Sequence, residues 1–214
     1  MQTLASYYYI YDPQIINYLM SEFALYFGLG KDHILDYVNG YDHILFVLAL
    51  CAVYVVRDWK KILILVTAFT IGHSVTLALA TLRIIAVDTN LIEFLIPLTI
   101  FITAVSNLFR KEESIELRNI QINYWFALGF GLIHGMGFSN YLKAILGKDQ
   151  SILSQLLAFN LGLELGQIIV VALFLGLSYI SVDFFKILKR DWKMVISSAI
   201  AGIALILMKD RIFW

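Results

Sequence analysis

The chain has 214 residues and a formal net charge of zero, with 60% hydrophobic and only 15% charged residues and a mean hydropathy of +0.80. That balance excludes an ordinary soluble domain and reads as an integral membrane protein, and the neutral charge gives no reason to expect a nucleic-acid partner. The single cysteine, Cys51, excludes an intrachain disulfide and a multi-thiolate metal site.

Residues 1–11 lack a basic n-region and a small-residue cleavage site, so targeting is expected to come from the transmembrane helices themselves. A helix is predicted to start with Asp12 as N-cap and Pro13 in its first turn. Its apolar residues Ile15, Ile16, Leu19, Phe23 and Phe27 recur at helical spacing, but Asn17, Ser21 and Glu22 interrupt them. It should therefore lie in the membrane interface rather than span. Residues 28–41 follow as a polar segment with two turn signals.

Six lipid-compatible segments come next, at 42–56, 62–82, 91–109, 122–141, 152–180 and 194–208. The first and last are short against the roughly 20 residues a bilayer core requires, whereas the fifth is long enough to tilt or emerge. Pro97 should bend the third. The expected fold is all-α: one transmembrane domain over residues 1–214, with an N-terminal interfacial part at 1–41 and a polytopic helix bundle at 42–208.

Orientation follows from basic residues in the short connections. Arg57, Lys60, Lys61, Arg110, Lys111, Arg118, Lys186, Lys189, Arg190 and Lys193 fall on one side and outnumber Lys31, Arg83, Lys143, Lys148, Lys209 and Arg211 on the other. The first set should be cytoplasmic, with both termini facing the periplasm. At about 1.5 Å per residue, His73 then lies roughly 16 Å and His134 roughly 18 Å from the inner ends of their helices. Asn160 and Glu164 lie roughly 12 and 18 Å down the fifth segment from outside, and Asp42 and His43 stand at the outer mouth of the first. Asn160, Glu164 and Gln167 share one helix face, which should meet the histidines.

An ionisable residue in lipid is costly unless paired or bound to something, so this convergence points to a site. A mid-helix histidine can also simply bond a neighbouring carbonyl. Two at matched depth with a carboxylate in reach favour a shared metal site instead, because neutral imidazole and carboxylate suit zinc, nickel or cobalt without thiolates. The candidate ligands are His43, His73, His134, Asp42 and Glu164, joined by His33, Asn160 and Gln167 if the site extends. Adjacent on a helix, Asp42 and His43 cannot both point inward. Asp42 either caps the helix or orients the His43 ring from behind. His33, Asp32 and Asp36 read as a solvated loop from which His33 could reach the site or guard its entrance. The glycines 129, 131, 135, 137, 162 and 166 read as close-packing positions rather than a phosphate loop.

Four motifs stand in order: Gly28-Leu-Gly-Lys-Asp-His33-Ile-Leu-Asp36 with Gly40-Tyr-Asp-His43-Ile-Leu-Phe46, then Thr70-Ile-Gly-His73-Ser-Val-Thr-Leu77, Phe130-Gly-Leu-Ile-His134-Gly-Met-Gly-Phe138 and Phe159-Asn-Leu-Gly-Leu-Glu164-Leu-Gly-Gln167. Together they resemble the HupE/UreJ family of bacterial integral membrane proteins, in its second, Bacteroidetes-like subgroup. The resemblance implies a polytopic inner-membrane protein linked to transport of nickel or a related metal. Two functions are open at this point. One is a permease taking a divalent metal ion from outside; the other is an intramembrane metal-dependent hydrolase with Glu164 as general base, acting on a lipid or membrane-anchored substrate from the outer leaflet.

Overall fold

A computed structural model describes residues 13–38, 40–86, 88–110, 117–145 and 152–214, and among them all regular structure is helical. The helices are α1 (Pro13–Leu35), α2 (Tyr41–Cys51), a single 3-10 turn at Val56–Asp58, α3 (Trp59–Thr81), α4 (Thr89–Phe109), α5 (Leu117–Ile145), α6 (Ile152–Ser178) with a π-helical extension at Tyr179–Phe184, and α7 (Lys189–Asp210). The N-cap expected at Asp12 and residues 111–116 of the basic connection lie outside the described residues. Four stretches are long and apolar enough to cross a bilayer: Val56–Thr81, Thr89–Phe109, Leu153–Phe184 and Lys189–Asp210. Large apolar side chains such as Ile71, Leu157, Leu173, Val195 and Ile206 are exposed along these helices, the inside-out distribution that lipid permits and water does not.

Two pairs of helices approach until their backbones touch, and glycine makes both contacts possible. Between α3 and α5, a Cβ on Gly72 would overlap the Leu128 carbonyl, and Cβ atoms on Gly131 and Gly135 would overlap those of Phe69 and His73. Between α1 and α6, Gly30 faces the Phe159 carbonyl and Gly162 faces that of Phe27. Gly131 meets Phe69 and Gly135 meets His73, while Gly162 meets Phe27 and Gly166 meets Ile34, so residue numbers rise together along each pair and the partners run parallel. This is the small-residue packing expected of membrane helices. Gly129 is an exception to the sequence reading, because a Cβ there would meet nothing within 4 Å.

The segment before the bundle departs from expectation. Gly28 and Gly30 read as turn residues, yet α1 runs through both to Leu35. Their neighbourhood explains it: Gly30 is a packing residue, and its missing side chain lets α1 lie lengthwise on α6. The chain then turns at Asp36–Gly40, where Gly40 N donates to Asp36 O (3.1 Å), and resumes as α2.

The first predicted segment is also shorter than expected. α2 has 11 residues, about 16 Å, and stops at Cys51 instead of reaching residue 56. It touches α1, α3, α4, α6 and α7, and Asp42, His43, Phe46, Val47, Ala49 and Cys51 on it are buried. α1 and α2 thus form one interrupted helix whose break lies inside the bundle. At the far end of α2, where the helix stops at Cys51, part of the cost of ending it is met by Asn107, whose Nδ2 donates to Ala49 O at 2.7 Å.

Candidate metal centre

The break between α1 and α2 brings histidines from four helices together. His33 from the last turn of α1, His43 from the first turn of α2 and His73 from the middle of α3 have ligand atoms all within 4.8 Å of one another. The His33 and His43 ring centroids are 4.4 Å apart, and His134 of α5 stacks edge-on against His43 at 5.2 Å. His33 reads from sequence as a loop residue that could reach the site; it is instead in a helix, its ring between His43 and Phe138. The missed signal was Gly30, which reads as a helix breaker in sequence and is a packing surface in space.

These rings are set up as lone-pair donors. His43 Nδ1 lies 3.0 Å from Asp42 Oδ1; a carboxylate only accepts, so the ring proton sits on Nδ1 and Nε2 is bare. On the fourth helix, Thr99 Oγ1 donates to Ile96 O (2.7 Å) and lies 3.3 Å from His134 Nε2. The hydroxyl proton being spent, His134 Nε2 is the donor there and its Nδ1 is bare. Four buried atoms are without a protein partner in this cluster besides His134 Nδ1: His33 Nε2, His43 Nε2 and both nitrogens of His73. His73 is 0% exposed. An unsatisfied buried polar group costs about 1–3 kcal/mol, so a ring with neither nitrogen satisfied has no structural justification within the protein.

Asp42 is not the N-cap considered in the sequence. Gly40 holds that position without a side-chain cap, and Asp42 Oδ1 instead accepts from both the backbone N (2.9 Å) and Nδ1 of His43. Its other oxygen is held by Arg211 Nη1 at 3.2 Å, and the same nitrogen donates to Glu93 O at 3.3 Å. Glu93 is four residues before Pro97, which lies inside α4 and has no N–H to offer that carbonyl. A proline-freed carbonyl, Arg211 and Asp42 therefore form a relay ending on His43. Carboxylates behind a ligating imidazole fix its tautomer and are worth 10- to 100-fold in metal affinity. Asp42→Asn should accordingly weaken Ni²⁺ binding by about 10- to 100-fold while leaving helix content unchanged, as checked by equilibrium dialysis and circular dichroism.

A cavity of 640 Å³ opens onto the cluster, lined by His33, His43 and His134 with Asp32, Asp36, Asp42, Glu93 and Arg211. Acidic groups outnumber the one arginine there, so the mouth favours cations. The remaining sequence candidates sit elsewhere on α6. Glu164 Oε1 accepts from Thr67 (2.8 Å), Gln167 Oε1 accepts from Thr70 (2.7 Å), and Asn160 Oδ1 is buried without a partner. Glu164 and Gln167 thus engage threonines of α3, and among the described residues the grouping of metal-competent donors within 4.8 Å of one another consists of His33, His43 and His73. Thr99 and Arg211 escaped the sequence reading. The Glu93–Pro97 spacing was the only hint of the second, and nothing marked the first.

The donor set fits a late first-row divalent ion: several neutral imidazoles, no thiolate, and an orienting carboxylate. The fold and the cluster define a multi-pass helical membrane protein with a buried histidine centre at the break between α1 and α2. Residues 12–211 match the HupE / UreJ protein family, to which the chain belongs. No curated protein and no solved structure matches it.

Proposed function

We propose that this protein is a permease of the bacterial inner membrane for a divalent transition-metal cation, nickel or a close analogue such as cobalt or zinc. The observation that carries the reading is the set of bare imidazole nitrogens on His33, His43, His73 and His134 at the base of an acid-lined cavity. A hydrated cation is drawn into the mouth by Asp32, Asp36 and Glu93 and exchanges its water for imidazole below. The end opposite the cavity carries Arg57, Lys60, Lys61, Arg110 and Lys193, and on the positive-inside rule we take that end as cytoplasmic, with the cavity and both termini periplasmic. In this arrangement the interrupted helix α1–α2 supplies one passage, α5 another, and the four long apolar helices the rest, giving about six in all. Interrupted helices with ion sites at the break are a recurrent feature of transporters.

The hydrolase reading needs Glu164 as a base on a metal-bound water. Thr67, which holds Glu164, precedes His73 by six positions on α3, or about 9 Å along the helix; that separation counts against the hydrolase. Uptake of ⁶³Ni²⁺ into vesicles containing the purified protein tests the permease. Wild type should accumulate the ion, and His134→Ala should lower uptake more than about 100-fold, beyond what loss of an outer-shell partner costs. Equal uptake by wild type, variant and protein-free vesicles would end this reading.

A further inference from the structure

A second cavity lies between α4 and α5 at the end of the bundle that carries Arg110. It has a volume of 130 Å³, about ten times what a single water requires. At their other ends the two helices touch, since a Cβ on Gly137 of α5 would stand 3.2 Å from Ile96 and 3.5 Å from Ile92 of α4. Toward Arg110 they frame the cavity, with Ile102 on α4 and Phe126 and Phe130 on α5 among its walls and Leu50 and Leu65 behind. Ile102 and Phe126 are 44% and 54% exposed, and Ile102 lies about 10 Å before the end of α4 at Phe109. The cavity therefore opens sideways toward lipid.

The neutral polar groups of the wall are already engaged. Thr103 donates to Thr99 O and Ser106 to Thr103 O, each at 2.8 Å, Asn107 is spent on Ala49 O, and Asn123 Nδ2 donates to Tyr54 Oη at 2.9 Å. What remains is one cation. Arg110 Nη2 donates to Asn123 Oδ1 at 2.6 Å, but a guanidinium has five N–H donors, no carboxylate lines the cavity, and among the described residues none pairs with Arg110. Lys193 of α7 brings a second positive charge to the same rim, its Nζ donating to Arg110 O at 2.6 Å.

We infer that this cavity binds an anionic phospholipid, its phosphodiester on Arg110 and one acyl chain lying in the apolar space between α4 and α5. The inference is independent of the permease reading. A phosphodiester is a single anion that a guanidinium fork can hold through two parallel hydrogen bonds. The acyl chain matches Leu50, Leu65, Phe126 and Phe130, and the sideways opening between Ile102 and Phe126 admits it from the bilayer without passage through water. Basic pockets between membrane helices on the cytoplasmic side are a recurrent form of lipid headgroup site. A free phosphate would satisfy Arg110 and leave the apolar walls uncovered.

The test uses full-length protein in a neutral detergent, with dioleoyl phosphatidylglycerol or dioleoyl phosphatidylcholine added and retention read by native mass spectrometry. Phosphatidylglycerol should be retained roughly tenfold better, the worth of one hydrogen bond to a charged group. It should also raise the melting temperature, by binding the folded state, where phosphatidylcholine does not. Arg110→Gln should retain the two lipids equally, and Arg110→Lys, which keeps the charge without the fork, should fall between. Ile102→Trp fills the lateral opening and leaves every charge in place; it should lose the preference as well. If Arg110→Gln does not fold, Arg110→Lys and Ile102→Trp carry the test. Equal retention of both lipids by wild type overturns the inference, as does a preference that survives undiminished in any of these variants. So does inorganic phosphate that displaces the lipid and stabilises wild type and Ile102→Trp alike, because the site then takes a free anion.

Discussion

His73→Leu is expected to abolish nickel binding and at the same time to raise the melting temperature of the metal-free protein. The two effects share one cause. Both nitrogens of the fully buried His73 ring have no protein partner, so without a cation the ring carries the desolvation cost of unsatisfied polar atoms, about 1–3 kcal/mol for each. Leucine fills a similar volume without that cost. Wild type should instead gain stability only on adding Ni²⁺, by mass action on the folded state. Thermal melting in detergent with and without Ni²⁺ reads both effects. A histidine kept for packing or hydrogen bonding gives the opposite sign, with the variant melting lower and the metal response unchanged.

The second large effect is expected at Gly135→Ala. A single added carbon would overlap the His73 carbonyl and the Thr76 hydroxyl, and Gly135 is next to His134. α3 and α5 must then separate by a fraction of a helix radius, and the two histidines with them. Overpacking of this kind costs about 1–3 kcal/mol, and in this position it also weakens nickel binding. Gly129→Ala on the same helix is the control: its Cβ meets nothing within 4 Å, so both stability and binding should stay at the wild-type level. Equal behaviour of the two variants would uncouple helix approach from the site.

Much of the architecture was legible because lipid imposes simple rules. Apolar runs gave the helices at 59–81, 89–109, 152–178 and 189–210 to within a few residues or a turn or so of their observed ends, and the midmembrane histidines stood out against them. The interruption at Asp36–Gly40 was not legible as such. α2 is too short to span and too polar at its start to look like a half-helix, and only its burial among five other helices shows what it is. For the same reason His33 read as part of a loop, although its ring is 4.4 Å from that of His43. Glu164 shows what depth alone leaves open. Its depth matched the histidines, but depth does not fix azimuth, and its carboxylate meets Thr67 on α3. Thr99 illustrates a further limit. A threonine in an apolar helix is commonplace, and only the 3.3 Å approach to His134 Nε2 makes it part of the site.

X-ray absorption spectroscopy at the metal edge of the zinc- or nickel-loaded protein tests most directly whether these histidines exist to hold a cation. For zinc, nitrogen scatterers at about 2.0–2.1 Å with the multiple scattering of several imidazole rings are expected, and this signal should be lost in His73→Leu. An all-oxygen shell, or an imidazole signal that survives His73→Leu unchanged, would contradict a histidine-held cation at this centre.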